Sequence, residues 1–157
     1  MKKANEQFPP LNLPAAGLQI RPAGERHEVF DRWRGRWVTL TPEEWVRQHF
    51  ASMLVAVKGY PGGRLANEVS LTLNSTSRRC DTVVYDLQMR PLMIVEYKAP
   101  HIAVTQRVFD QIVRYNMVLR APYLVVSNGL NHYCCRVDAE SHSYQFLPDV
   151  PDYQSIK

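Results

Sequence analysis

Three polar side chains at the ends of two predicted strands are the residues of this chain best suited to chemistry. Asp81 stands just before one β-branched and apolar run, residues 82–87, and Glu96 and Lys98 lie at the end of a second, residues 92–97. The residues between the runs are polar and end in a proline, which favours a turn. The segment is therefore predicted to form a β-hairpin with Asp81, Glu96 and Lys98 at its open end.

The register of this hairpin decides whether the three side chains meet. If the turn is tight and centred between Gln88 and Met89, residues whose numbers add to 177 face each other, so Asp81 lies opposite Glu96. The two Cβ atoms would then be about 5 Å apart. Because strand side chains alternate between faces, Lys98 is expected on the face of Glu96, and Tyr97 on the opposite face.

Two carboxylates at that distance repel each other, and each is costly to bury without a partner. A hard divalent cation such as Mg²⁺ resolves the conflict, because it takes one or two carboxylates and keeps waters that leave room for phosphate oxygens. Lys98 beside the metal could position or deprotonate a water and offset charge on the phosphate. The alternative for an isolated E-x-K pattern is an ordinary salt bridge of Lys98 with Glu96 or Asp81.

The elements before the hairpin begin with an irregular segment. Residues 1–27 carry four prolines and no sustained periodicity, which predicts an extended arm ahead of a single domain, residues 28–157. Residues 28–41 alternate around Gly35 and predict a short antiparallel strand pair.

A helix is predicted to follow from Thr41 to about Val57. Thr41 supplies an N-cap, and Pro42 is suited to the first helical position. A capping box explains Glu44 and the helix dipole explains Glu43, yet either glutamate is a candidate to reach the site. The predicted buried stripe of this helix is Val46, Phe50, Met53 and Val57.

Further strands and a second helix complete the expected sheet. Residues 65–74 predict a strand that carries Glu68, and residues 104–119 predict a helix whose buried stripe is Val108, Ile112, Tyr115 and Leu119. Gln111 and Tyr115 are four residues apart and share one side of this helix; core-edge packing alone would account for Tyr115. Strands are expected at 122–127, 131–137 and 144–147, the first being a buried parallel strand reached by a crossover.

Composition and length limit the kinds of protein that this chain can be. The chain has 157 residues, enough for one domain with one core, and a net charge of +4, with 14 of its 19 basic residues being arginine. Arginine binds phosphate bidentately, so an anionic partner is favoured. The three cysteines form neither a disulfide framework nor a zinc-type spacing, and no segment is apolar enough to cross a membrane. We expect a cytoplasmic, soluble protein.

The order of these residues and elements resembles the PD-(D/E)XK nuclease superfamily. More narrowly, residues 29–134 resemble the nuclease domain at the N terminus of the R subunits of type I restriction enzymes. The phrases that carry the resemblance are TPEEWVRQ at 41–48, RCD at 79–81, VEYKAP at 95–100, QIVRYN at 111–116 and SNG at 127–129. Cys80 stands where the nominal motif has proline, a departure that is common in these enzymes.

The resemblance implies a restriction-endonuclease-like core, a mixed central sheet flanked by helices in the order α-β-β-β-α-β. Asp81 and Glu96, with the main-chain carbonyl of Tyr97, would hold Mg²⁺, with Mn²⁺ as a substitute, and Lys98 would serve the attacking water. Gln111 and Tyr115 would arrange the site and the bound DNA. An acid from the first helix or the adjoining strand would join them, which leaves Glu44, Glu43 and Glu68 as candidates.

The predicted function is therefore a Mg²⁺-dependent DNA endonuclease, stand-alone or part of a restriction or repair-type system. No phosphate-binding G-x-x-x-x-G-K-[ST] loop occurs, so ATP is not an expected partner. One site per chain favours a homodimer for cutting both strands of a duplex. The alternative is a DNA-binding or assembly module that keeps the fold without cleaving, because +4 over a whole domain is a weak electrostatic footprint for DNA.

Overall fold

The structure, a computed structural model, describes residues 8–73, 75–138, 140–141 and 143–157; the side chains of residues 73, 76, 78, 115, 117 and 118 lie outside the description. Within those ranges the protein is a mixed α/β fold with nine strands in two sheets and three α-helices. None of the described helices has the length and apolar character needed to span a membrane.

A small N-terminal sheet precedes the first helix. Its antiparallel strands are β1 (Ile20–Ala23), β2 (Arg26–Asp31) and β3 (Arg36–Thr39). The predicted strand pair around Gly35 is confirmed, and Gly35 adopts the left-handed conformation at φ +66°. Strand β1 lies inside the range predicted to be an arm. Its proline, Pro22, is compatible with a strand because β1 is an edge strand of this sheet.

Helix α1 (Pro42–Ala56) begins where the sequence predicts it. The hydroxyl Oγ1 of Thr41 accepts a hydrogen bond from the Glu44 N–H at 3.0 Å, which caps the first turn. The predicted burial of Val57 is wrong: this residue follows the last helical position, and it is 58% exposed. The buried side of α1 is also wider than an apolar stripe, because the arm and the N-terminal sheet cover part of the helix.

The main sheet has the strand order β4-β5-β6-β7-β8-β9, and only its β6–β7 pair is parallel within the described residues. Its strands are β4 (Leu65–Leu73), β5 (Thr76–Tyr85), β6 (Pro91–Tyr97), β7 (Tyr123–Ser127), β8 (His132–Asp138) and β9 (Ser143–Leu147). Helix α2 (Gln106–Leu119) is the crossover between the two parallel strands, as predicted. A short helix α3 (Tyr153–Ile156) ends the chain.

The β5–β6 hairpin has the predicted register. Thr82 pairs with Val95, and the next two pairs inward follow the same sum of residue numbers, 177. The turn is not the tight one expected, because a bulge at Val84/Tyr85 precedes a five-residue loop, 86–90. The bulge absorbs the extra residue. Pairing with β6 begins at Thr82, so Asp81 lies immediately beyond the paired residues of this hairpin.

The two long helices cover opposite faces of the main sheet. Phe50 of α1 packs in one cluster with Met93, Val95 and Tyr97 of β6, and Ile94 of the same strand packs in another cluster with Leu119 of α2. Odd-numbered residues of β6 therefore point toward α1, and even-numbered residues point toward α2. This alternation sends Glu96 and Tyr97 to opposite faces, as predicted.

Residues of the N-terminal arm are fixed to the main sheet. The Asn12 N–H donates to the Gly129 carbonyl at 2.8 Å, and the Asn12 carbonyl lies 2.9 Å from His132 Nε2. Gly129, at φ +84°, also allows a close approach, since a Cβ there would lie 2.7 Å from a methyl group of Leu11. The arm thus becomes part of the core on the α1 side.

Candidate active site

The carboxylate of Asp81 is fixed against the strand that carries the other two predicted residues. Its Oδ2 accepts a hydrogen bond from the main-chain N–H of Tyr97 at 2.9 Å. Tyr97 is the middle residue of the Glu96-Tyr97-Lys98 run, so this bond holds the Asp81 carboxylate beside the peptide that joins Glu96 to Tyr97. The structure therefore brings Asp81 to the end of β6, as the sequence predicts.

Glu96 and Lys98 lie at the carboxyl end of β6. Glu96 is 8% exposed, and its position on β6 is the one that faces α2. Lys98 is partly buried, and its main-chain N–H donates to the Ser127 carbonyl at 2.9 Å, which ties the end of β6 to the end of the parallel strand β7. The main chain around Glu96 is thus fixed by pairing with β7 on one side and by Asp81 on the other.

Tyr97 contributes only its main chain to this edge. Its ring is buried against Phe50 on the α1 side, and its hydroxyl donates to Thr82 Oγ1 at 2.9 Å. Burial raises the pKa of the Tyr97 hydroxyl, so this group stays protonated at any ordinary pH. The sequence assigned only the Tyr97 carbonyl to the site, and the buried ring leaves that carbonyl as the group available for such a role.

Glu44 does not form the capping box that was the alternative explanation for this residue. Instead of turning back to the N-cap, its carboxylate points into the protein, where Oε1 accepts from Arg34 Nη2 at 2.5 Å and Oε2 accepts from Gln48 Nε2 at 3.0 Å. Its side chain is 7% exposed. Glu43, the alternative candidate on this helix, is exposed.

Arg47 of α1 contacts two of the candidate acids and the main chain of Asp81. Its Nη2 pairs with Glu68 Oε1, and its Nη1 donates to the main-chain carbonyl of Asp81 at 2.9 Å. Its Nε lies 3.3 Å from Glu44 Oε2, a charge contact without the geometry of a hydrogen bond. Burial alone would lower the pKa of Arg47, but the carboxylates of Glu44 and Glu68 outweigh it and hold the pKa above its usual value.

Glu68 occupies an unusual position in β4. Its φ is +58°, the left-handed region that non-glycine residues rarely adopt. Both carboxylate oxygens are used by arginines: Oε1 by Arg47, and Oε2 by Arg79 Nε at 2.5 Å. The strand pairing is recorded for Asn67 and Val69 with β5, and it skips Glu68 between them.

The N-terminal sheet extends this set of charges. Arg34, between β2 and β3, pairs with both Asp31 and Glu44. Asp31 is completely buried and also accepts from Asn67 Nδ2 at 3.0 Å. Burial would raise the pKa of Asp31, but the hydrogen bonds from Asn67 and Arg34, aided by the Arg34 charge, outweigh it and hold the pKa below its usual value. We call the set Asp31, Arg34, Glu44, Arg47 and Glu68 the arginine network.

Helix α2 carries the two remaining residues that were predicted to belong to the site. Gln111 lies on α2 with an exposed side chain, and the side chain of Tyr115 lies outside the described residues. No group of three or more His, Cys, Asp or Glu side chains in the described part of the chain is arranged to hold a metal ion. A cation at this edge would therefore depend on two carboxylates, a carbonyl and water.

Sequence reasoning missed the arginine network. Arg47 carried one usable signal, because it lies three residues before Phe50 and seven before Leu54, both fully buried, and so shares their helical face. An arginine in an apolar helical register predicts a buried ion pair. Its contact with Glu68 was not predictable in this way, since Glu68 lies 21 residues away in the chain.

A cavity of about 310 Å³ is lined by none of Asp81, Glu96 and Lys98. The arm, the β2–β3 region and α1 line it, with Leu18, Trp33 and Met53 among its walls. A polymeric substrate does not require a deep pocket, so the open strand ends remain the candidate site.

A family model described as Type I restriction enzyme R protein N terminus (HSDR_N) matches residues 42–151 of the 157-residue chain. None of the curated proteins compared with the chain matches it. The matched range contains Asp81, Glu96, Lys98 and Gln111, and it begins after the N-terminal sheet.

Proposed function

The chain belongs to the family of type I restriction enzyme R protein N termini, and from that premise we propose that it is a Mg²⁺-dependent DNA endonuclease. Membership of this family supports a nuclease-like role in a restriction system. The finer proposal is hydrolysis of DNA phosphodiester bonds by a restriction-endonuclease-like core, in the cytoplasm and without ATP. The chain would act alone or within a restriction or repair-type system, and a homodimer would cut both strands.

One contact carries this proposal. The hydrogen bond from the Tyr97 N–H to the Asp81 carboxylate joins the aspartate to the Glu96-Tyr97-Lys98 run at 2.9 Å. An aspartate that only stabilised the fold could have been paired with arginine, as Asp31 is. Asp81 is instead held by a neutral amide, which leaves its negative charge less compensated by protein groups.

The donor atoms at this edge fit a hard cation. Carboxylates of Asp81 and Glu96 and the main-chain oxygen of Tyr97 are oxygen ligands of the kind that Mg²⁺ and Mn²⁺ accept. Glu44 and Glu68 direct their carboxylates to guanidinium groups. We therefore assign Asp81, Glu96 and Tyr97 as the ligands, and Glu44 and Glu68 as supports of the site.

The remaining chemistry belongs to residues of the chain. A bound Mg²⁺ supplies Lewis acidity toward the phosphate and lowers the pKa of a coordinated water. The Lys98 ammonium orients the attacking water and offsets negative charge that develops on the phosphate. Asp81 is already fixed by the Tyr97 amide, so little reorganisation is required of it. Gln111, exposed on α2, is assigned to contact with DNA, together with Tyr115.

The test is a cleavage assay on plasmid, linear, nicked and branched DNA with Mg²⁺ or Mn²⁺. Lys98→Ala and Asp81→Ala should each slow cleavage at least about a hundredfold while thermal unfolding stays close to that of the parent. The matched control is Lys58→Ala, which removes a lysine that pairs with Asp149 at the far end of α1. A parental cleavage rate in either site variant, in preparations free of contaminating nuclease, would refute the mechanism.

A non-cleaving DNA-binding or assembly module is the second candidate. The observation in its favour is that several arginines are used internally: Arg34, Arg47 and Arg79 all pair with acids. Few of those charges are left for a DNA backbone, and the net charge is only +4. DNA binding without cleavage in either metal, across the same panel of DNA forms, would select this candidate.

A further inference from the structure

We propose that Arg47 is a positioning residue for Asp81, and that Arg34 of the N-terminal sheet acts through it; this rests on the proposed function. The proposal assigns a role to a part of the chain, residues 20–39, that precedes the family match.

The main chain at Asp81 has lost its regular support. Cys80 and Thr82 of β5 pair with β4, and pairing of β5 with β6 begins at Thr82. Asp81 is therefore not a paired residue on either side of the strand. The neighbouring residue across the β4 pair, Glu68, has the left-handed φ of +58°. The most important carboxylate of the site is therefore attached to an irregular stretch of backbone.

The alternation of side chains confirms this irregularity. Cys80 and Val83 pack in the same cluster on the α2 face, although they are three residues apart. In a regular strand, residues separated by an odd number point to opposite faces. The change of face occurs between these two residues, at Asp81 and Thr82.

Arg47 supplies a replacement for the missing ladder bond. Its Nη1 donates to the Asp81 carbonyl at 2.9 Å from the α1 side. Fixing this carbonyl fixes the peptide plane, and with it the direction in which the Asp81 side chain leaves the backbone. The contact is to the carbonyl rather than to the carboxylate, so Arg47 can position Asp81 without occupying its ligand atoms.

Arg47 is in turn held by groups that lead back to the N-terminal sheet. Glu44 lies between the two guanidinium groups, with Oε1 bonded to Arg34 and Oε2 beside Arg47. Arg34 is anchored by Asp31, which is completely buried. Removing Arg34 would leave Glu44 free to draw Arg47 away from Asp81.

The charges of this assembly balance among themselves. Asp31, Glu44 and Glu68 are matched by Arg34, Arg47 and Arg79 in the described ion pairs. Counted together with Arg79, the arginine network carries no surplus negative charge with which to attract a cation away from Asp81 and Glu96. This is the behaviour expected of a support for the ligands rather than of a second ligand set.

The experiment uses the whole 157-residue chain labelled with ¹⁵N. The amide of Tyr97 reports directly on Asp81, because it donates to the Asp81 carboxylate. Its hydrogen exchange is compared in the parent, Arg47→Met, Arg47→Lys and Arg34→Met. The matched control is Arg21→Met, which breaks an ion pair with Glu28 in the same N-terminal sheet but outside the arginine network. Mn²⁺ affinity and the kcat and KM for DNA cleavage are measured on the same proteins.

We expect Arg47→Met to expose the Tyr97 amide selectively and to lower Mn²⁺ affinity and kcat by about 10–100-fold with KM retained. Arg34→Met should act in the same direction more weakly. Arg47→Lys should restore part of the loss, because lysine keeps the charge but lacks the fork that reaches two acceptors. Arg21→Met should match the parent in all three measurements.

Parental exchange at the Tyr97 amide in Arg34→Met and in either Arg47 variant would overturn the proposal. So would an equal loss of protection throughout the hairpin, which indicates general loosening. If Arg47→Met does not fold, Arg47→Lys and Arg34→Met still decide. If the parent neither binds Mn²⁺ nor cleaves DNA, the proposed function fails, while exchange at Tyr97 still shows whether Arg47 positions Asp81.

Discussion

The acids of the arginine network and Asp81 at the end of β5 are held in different ways. Asp31, Glu44 and Glu68 accept hydrogen bonds from guanidinium groups, so their negative charges are matched within the protein. The Asp81 carboxylate accepts from a main-chain amide, which fixes its direction without supplying a positive charge. The difference separates acids that pair directly with guanidinium groups from an acid that a neutral amide holds, and under the proposed function the charge of that acid serves a cation.

The largest effects are expected when one acid of each kind is neutralised. Asp81→Asn should lower cleavage at least about a hundredfold and leave the free energy of unfolding nearly unchanged. Glu44→Gln should destabilise the fold by about 3 kcal/mol, because the buried charges of Arg34 and Arg47 would each lose one of their two carboxylate partners. Urea unfolding and a cleavage assay on both variants make the measurement. A stability loss in Asp81→Asn equal to that in Glu44→Gln would remove the distinction.

The buried acid Asp31 of the arginine network should also make the stability of the fold depend on pH. The folded pKa of Asp31 lies below its usual value, so its contribution to stability is present above about pH 4 and is lost as the pH falls through the folded pKa. In Asp31→Asn this part of the acid-side decline should disappear. Urea unfolding between about pH 2 and pH 6 tests this, with Asp31→Asn compared with the parent. Profiles of the same shape in the two proteins would contradict the assignment.

The smallest effect is expected at Arg79, which is not part of the arginine network but pairs with one of its acids. Arg79 pairs with Glu68, but its side chain is 67% exposed, so solvent and salt screen the pair. Arg79→Met should change the free energy of unfolding by less than about 1 kcal/mol. Comparison with Arg47→Met, whose lost side chain is 7% exposed, shows whether burial sets the size of the effect.

Much of the local structure was predictable because it follows from short-range patterns. The Thr41 cap and the register of the β5–β6 hairpin follow from nearby residues, and the crossover helix follows from the order of strand, helix and strand along the chain. The register placed Asp81 beside Glu96-Tyr97-Lys98 because strand alternation has a fixed period. The longer turn did not disturb it, since the bulge at Val84/Tyr85 compensates.

The supporting network was not predictable, because its contacts join distant parts of the chain. Asn67 reaches Asp31 across 36 residues, and Arg47 reaches Asp81 across 34. Arginine and glutamate on a helix are ordinarily exposed, so the buried stripe predicted for α1 contains only apolar residues, whereas the structure also buries Glu44 and Arg47. The left-handed conformation of Glu68 also leaves no trace in the strand pattern.

The position of Arg34 has a consequence for how the protein is divided. The family match begins at residue 42, whereas the guanidinium that secures Glu44 comes from residue 34. A border drawn by similarity therefore cuts through a single electrostatic unit. Trimming the chain to residues 42–151 would remove Arg34 from the buried carboxylate of Glu44. The N-terminal sheet is therefore better regarded as part of the same folding unit than as a separable segment.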